Sequence, residues 1–175
     1  LQLRLGAVEM LKANYTAARE AFQAALTFDP GLDAAYVGLA QTYARQAKDD
    51  EAINILESAR AKFPNHYSLE YYFGLLASRS GREQKAITAL NNAAELQPRS
   101  PDPLFELGKL YIAGKDWPRA RQALENVVEL NPQFQPAHYQ LSHVYAHLGL
   151  NAKAAQEAYK TQTLVDAQRD EALRR

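Results

Sequence analysis

Pro30, Pro64, Pro98 and Pro132 stand 34 residues apart each time. A period held through three steps restricts the chain to a tandem of equal units, each ending in the same way at the same point. Two further columns share the interval. Ala18, Ala52, Ala86, Ala120 and Ala154 are all alanine, and Gly6, Ala40, Gly74, Gly108 and Ser142 are all small. The period divides one array over 1–175 into units 1–32, 33–66, 67–100, 101–134 and 135–168, with 169–175 as a C-terminal helix extension.

Each unit holds two amphipathic helices. In the second unit Ala35, Leu39, Thr42 and Tyr43 mark one face over 33–46, and Ala52, Ile55, Leu56 and Ala59 another over 49–62. Gly81 and Gly149 sit where a helix end calls for a left-handed residue. Asp116 before Trp117-Pro118 reads as an N-cap, as does Ser100 before Pro101. The columnar prolines, without an N–H, stop the second helix of each unit. Small residues such as Gly74 and Ala86 bring the helices of a hairpin close, and Phe22, Leu56, Leu90 and Leu124 fill the space between hairpins. The fold class is therefore all-α. One hairpin cannot bury its apolar face, so stability comes from neighbour stacked on neighbour.

Composition narrows the partners. Twenty basic and twenty acidic residues leave no net charge, which removes the attraction that nucleic acid or an anionic membrane would use. No apolar run approaches the ~20 residues of a membrane span, so membrane insertion is not expected. Cysteine is absent, which excludes disulfides and thiolate metal sites and leaves cytoplasm and periplasm both open. The chain begins without Met inside a helical pattern and reads as a piece of a longer protein, bacterial in style.

Tyr36-x-x-Leu39-Ala40-x-x-Tyr43, then Ala52-x-x-x-Leu56 and Pro64, resembles the tetratricopeptide repeat signature. Leu104-x-x-Leu107-Gly108-x-x-Tyr111, Ala120-x-x-x-Leu124 and Pro132 repeat it. The resemblance covers nearly all of the chain. It implies a right-handed superhelical solenoid of five helix-turn-helix repeats whose first helices line a concave inner surface. The first unit lacks its opening residues and carries Glu9 where Tyr43, Tyr111 and Tyr145 stand elsewhere. In the fifth, Ala158 and Thr161 replace larger residues and Asp166 replaces the proline, as a capping unit would. Its last helix is expected to run on through Asp166 to Arg175. The first unit shows no cap, which leaves room for upstream repeats or for a homo-oligomer formed through the N-terminal repeat.

The stretch LEYYFGLLA, residues 69–77, sets Tyr71, Tyr72 and Phe73 side by side, and at about 100° per residue they cannot share one face. Phe73 falls with Leu69 and Leu76 and belongs to the core. Tyr71, Tyr72, Leu75 and Arg79 fall on the opposite side, which the resemblance places on the concave surface. Stepping Tyr71 by the period gives Leu3, Val37, Phe105 and Tyr139; stepping Leu75 gives Ala7, Gln41, Lys109 and His143. The expected partner site is a groove for a segment of another protein. Its aromatic rungs are Tyr71, Phe105 and Tyr139, and Arg45, Arg79 and Lys109 supply charge. The competing reading packs the same rings against neighbouring helices.

Two family subtypes are excluded by their own positions. The carboxylate clamp of chaperone-binding relatives would need lysine, asparagine and arginine where Leu3, Ala7, Gly38, Ser68 and Tyr72 stand. The asparagine ladder of sugar-transferring relatives would occupy the column of Arg4, Gly38, Tyr72, Glu106 and Gln140. Chemistry is thinly represented. His143 and His147 have metal-compatible spacing with His138 a turn away, but no HExxH, phosphate loop or nucleophile elbow occurs, so neither metal, cofactor nor catalysis is expected. Asn14-Tyr15-Thr16 matches a sequon that a turn explains more simply, and Asp49-Asp50-Glu51 fits a helix start. The function expected is a protein-interaction scaffold, with a regulatory or substrate-docking arm of a larger enzyme or secretion assembly as the alternative.

Overall fold

The computed structural model describes residues 1–174, which form ten α-helices and no strand. They fall into two compact units, Leu1–Leu96 and Gln97–Arg175. The first holds α1 (Gln2–Leu11), α2 (Tyr15–Phe28), α3 (Asp33–Arg45), α4 (Asp49–Lys62), α5 (Tyr67–Arg79) and α6 (Glu83–Leu96). The second holds α7 (Asp102–Ala113), α8 (Trp117–Leu130), α9 (Gln135–His147) and α10 (Asn151–Leu173). Consecutive helices pair as antiparallel hairpins, and the second helix of each begins at Tyr15, Asp49, Glu83, Trp117 or Asn151, again 34 residues apart.

The hairpin turns are built alike. Ala13, Ala47, Gly81, Lys115 and Gly149, one column of the period, all take a left-handed conformation with φ between 58° and 72°. The two glycines were expected there. The alanines and the lysine adopt it because the following helix must reverse direction at the same place in each unit. Asn14 and Asp116 cap α2 and α8, accepting from Ala17 N at 3.4 Å and Arg119 N at 3.1 Å. Ser100 was expected at the N-cap of the next helix, and the helix starts one residue later. The first bond of α7 runs from Phe105 N to the Pro101 carbonyl at 2.9 Å, which makes Pro101 the N-cap.

Packing follows the columns. The alanines Ala18, Ala52, Ala86 and Ala120 are fully buried. A Cβ on Gly74 would lie 2.7 Å from Leu90, and one on Gly108 2.8 Å from Leu124, so glycine there sets the separation between helices. Phe22 is larger than its counterparts and is accommodated from both sides, since a Cβ on Gly6 would meet its ring at 2.7 Å and one on Gly38 at 2.5 Å. In the last hairpin α10 has no fully buried residue; Ala154, Glu157, Thr161 and Leu164 are half-buried and Ala158 is exposed. The helix passes Asp166 and ends at Leu173; the expected end at Arg175 lies outside the described residues.

Polar side chains add specific ties. Tyr36 Oη donates to the Pro30 carbonyl at 3.1 Å, and His138 Nε2, in the same column three periods on, donates to the Pro132 carbonyl at 3.0 Å. Glu70 is buried and accepts from Arg60 at 2.8 and 2.7 Å and from Asn92 at 3.3 Å, while the Arg60 guanidinium lies 4.1 Å from the centroid of Phe73. The acidic run does open α4, as expected, and also reaches the next hairpin, Asp49 pairing with Arg79 and Asp50 with Arg82.

Candidate functional site

In the first unit α1 packs beside α3 and α3 beside α5, so the three first helices form one continuous face. Their lengths are set by the turns described above, and their small columnar residues point towards α2, α4 and α6. Larger side chains therefore rise on the opposite side. Two hollows open there. One, of about 290 Å³, lies between α3 and α5, with Val37, Gln41 and Arg45 on one wall, Tyr72, Leu75 and Arg79 on the other, and Leu56 and Leu76 beneath. The other, about 270 Å³, takes Leu3, Ala7 and Met10 from α1, Val37, Gly38 and Gln41 from α3, and Ser68 and Tyr72 from α5, over the Phe22 ring. Each volume matches a few side chains rather than a whole small-molecule ligand.

Val37, Gln41 and Tyr72 line both hollows and join them. Tyr72 is thus the ring of the Tyr71-Tyr72-Phe73 triplet that faces the hollows. Phe73 is core, 2% exposed. Tyr71 lies flat against Tyr67, centroids 5.6 Å apart and planes 7° apart, and meets Tyr72 edge-on at 5.4 Å. It supports Tyr72 from the side and lines neither hollow.

The expected charges are arranged unequally. Arg79 is spent on Asp49, with Nε to Oδ2 at 3.1 Å and a second bond from Nη2 to Oδ1. Lys109 bonds Glu106 at 2.7 Å and lies 5.7 Å from the centroid of Phe105. Arg45 is exposed at the end of α3, on the rim of the first hollow, and has no ion-pair partner among the described residues.

In the second unit Phe105 is half-buried against Phe134, centroids 5.0 Å apart, and packs on the local core. Tyr139 is half exposed and meets His143 edge-on at 4.7 Å. The three histidines diverge: His147 stacks on Trp117 at 4.0 Å, and His138 is buried with Nδ1 2.5 Å from Glu157 Oε2. No group of three metal-ligating side chains occurs among the described residues. Tyr145 donates to Glu125 at 2.7 Å, and its phenol is pushed above the ordinary tyrosine range, first by burial and then by that bond. It is held as a neutral structural donor. No helix among the described residues is long and apolar enough to cross a membrane.

Sequence reasoning passed over Gly38 and Phe22 as parts of the site. The signal was present: Gly38 is the one residue of its column without a side chain, beside Arg4, Tyr72, Glu106 and Gln140, and Phe22 is the one ring in a column that otherwise holds Leu56, Leu90, Leu124 and Ala158. The large residue demands the missing one, and the missing one leaves the dent.

No curated protein matches this chain. Among solved structures, MamA superposes with a TM-score of 0.84 at 22% identity, covering 95% of this chain and 97% of its own. YrrB, described as a TPR protein with an unusual peptide-binding site, gives 0.75 at 20% identity over 93% of this chain and 84% of its own. PilF of Pseudomonas aeruginosa gives 0.83 at 18% identity over 93% and 74%. These likenesses describe the fold. Family models for the tetratricopeptide repeat match residues 10–79 and 77–127, and a second such model matches 105–163, spanning the hairpins whose columns were traced above. The chain belongs to the tetratricopeptide repeat family.

Proposed function

We propose that this chain is a protein-interaction module that holds an extended segment of another protein on the inner face of its first unit. Neighbouring apolar side chains of the segment enter the two hollows on either side of Tyr72, and an acidic group pairs with Arg45. The carrying observation is the pair of apolar hollows sharing Val37, Gln41 and Tyr72, with an uncommitted guanidinium at the rim. Leu75 supplies further apolar wall. The exposed Tyr139 and His143 pair is a second contact available in the other unit. Phe105, Tyr71 and Arg79 act through packing and internal pairing that keep these surfaces in shape. YrrB, of the same fold, is described as having a peptide-binding site, which supports a peptide as the ligand class.

Selection from a displayed random-peptide library, followed by calorimetric titration of the peptides recovered, tests the reading. Enrichment of apolar residues next to Asp or Glu is expected. Tyr72→Ala should weaken binding by about 2 kcal/mol, roughly 30-fold, with unchanged helicity. Arg45→Glu should abolish the acidic preference, whereas Phe105→Ala should lower the melting temperature and leave affinity alone. Binding indifferent to both Tyr72→Ala and Arg45→Glu would remove the proposal.

A further inference from the structure

Val37 and Gln41, one turn apart on α3, line both hollows of the first unit together with Tyr72 and so form the ridge between them. That ridge has two kinds of polar group. Tyr72 offers a single hydroxyl, whereas the Gln41 carboxamide sets a donor and an acceptor side by side in one plane. Gln41 is half-buried, and its carboxamide makes no hydrogen bond among the described residues. The amide of Gln46, by contrast, is bonded to the Thr42 carbonyl at 3.1 Å. The other members of the Gln41 column are Ala7, Leu75, Lys109 and His143, so an amide stands at this rung alone. Gly38, three residues earlier and lining one of the hollows, puts no side chain in the way of a chain laid beside Gln41.

We infer that Gln41 binds the main chain of the captured segment, accepting from the N–H and donating to the C=O of one and the same residue. This rests on the peptide reading above and adds to it the part of the peptide that is read. In an extended chain successive side chains leave on opposite sides, and the N–H and C=O of a given residue point to one edge while those of its neighbours point to the other. A segment lying along the ridge therefore drops two adjacent side chains into the two hollows and turns the N–H and C=O of one of these residues down onto Gln41. Covered in this way, those two groups lose their water, and leaving either unpaired costs more than an ordinary hydrogen bond contributes. The carboxamide satisfies both.

The ligand class follows. A helical segment has already used its interior N–H and C=O groups, and proline has no N–H to give. Arg45 stands one turn beyond Gln41, about 6 Å along α3, which is the rise of roughly two extended residues. The segment is thus extended, with two adjacent apolar residues, a free N–H on the one over Gln41, and an acidic residue about two positions away.

The probe is the tightest-binding peptide from the display selection, synthesised in three forms. One is unaltered, and in each of the others the amide N–H of one of the two adjacent apolar residues is replaced by an ester oxygen. One ester should weaken binding about tenfold and the other leave it unchanged, since only one of the two N–H groups faces the ridge. Gln41→Met keeps the length and the apolar stem without the amide. It should bind the unaltered peptide about tenfold more weakly, no longer distinguish the three forms, and melt at the same temperature as the parent, because the carboxamide takes no part in the fold. Peptides that need Tyr72 and Arg45 yet bind equally well in all three forms, or whose ester effect persists in Gln41→Met, would overturn the inference and leave the binding site standing. Binding indifferent to Tyr72→Ala and Arg45→Glu would remove both.

Discussion

Glu70 keeps a carboxylate almost out of water because three donors and a ring surround it. Arg60 binds it through two parallel bonds, Asn92 through a third, and the far side of the guanidinium rests on Phe73. A buried pair of this kind adds little over apolar residues of the same shape, but removing one partner strands the other. Glu70→Ala should therefore lower unfolding free energy by about 3 kcal/mol, read from urea denaturation. Arg60→Met with Glu70→Leu should recover most of that loss. Equal damage from the single and the double change would show that the charges, rather than the stranding, matter. At this scale the sequence was legible for Phe73, whose helical position points inward. It was opaque for Glu70 and His138, which look like surface residues until Arg60 and Glu157, ten and nineteen positions away, are brought alongside. Tyr72 was read as a groove residue, but its separate role from Tyr71 depends on which neighbouring helix each ring meets.

The helices were legible because the 34-residue period repeats their start, their crowded face and their stop. The turns between them show where column and residue type diverge. Gly81 and Gly149 announce a left-handed residue by type, whereas Ala13, Ala47 and Lys115 reveal it only by sharing their column. For a residue with a Cβ that conformation costs about 1–2 kcal/mol. Gly81 has nothing within 4 Å of where a Cβ would be, so Gly81→Ala tests backbone cost alone. It should lower stability by about 1 kcal/mol, and Ala47→Gly should raise it by somewhat less, since the glycine also loosens the unfolded chain. Paired thermal melts give both signs in one experiment, and a stabilising Gly81→Ala would refute the account. Ser100 shows the opposite failure. Its type suits a cap, yet the first bond of α7 is accepted one residue later, by Pro101.

Within each of the two units, burial is distributed over neighbouring helix pairs rather than gathered at one centre. α1 contributes only Gly6 to the fully buried set and α10 contributes nothing, while Leu56, Leu90 and Leu124 in the inner hairpins are completely enclosed. Free energy in such a stack is a sum over adjacent interfaces, so a defect weakens its own layer and those touching it. Leu124→Ala, inside the cluster formed with Leu141 and Val144, should cost about 3 kcal/mol locally. The consequence is regional. Native-state hydrogen exchange should show protection falling in α7, α8, α9 and α10, whose amides open with the damaged layer, while α2, α3 and α4 keep theirs. A chain with a single cooperative core would instead lose protection at all of these helices by the same factor. Leu56→Ala provides the mirror image, loosening α3, α4 and α5 and sparing α9. If both substitutions lowered protection uniformly from α2 to α9, the additive layer picture would fail even though every helix was in its place.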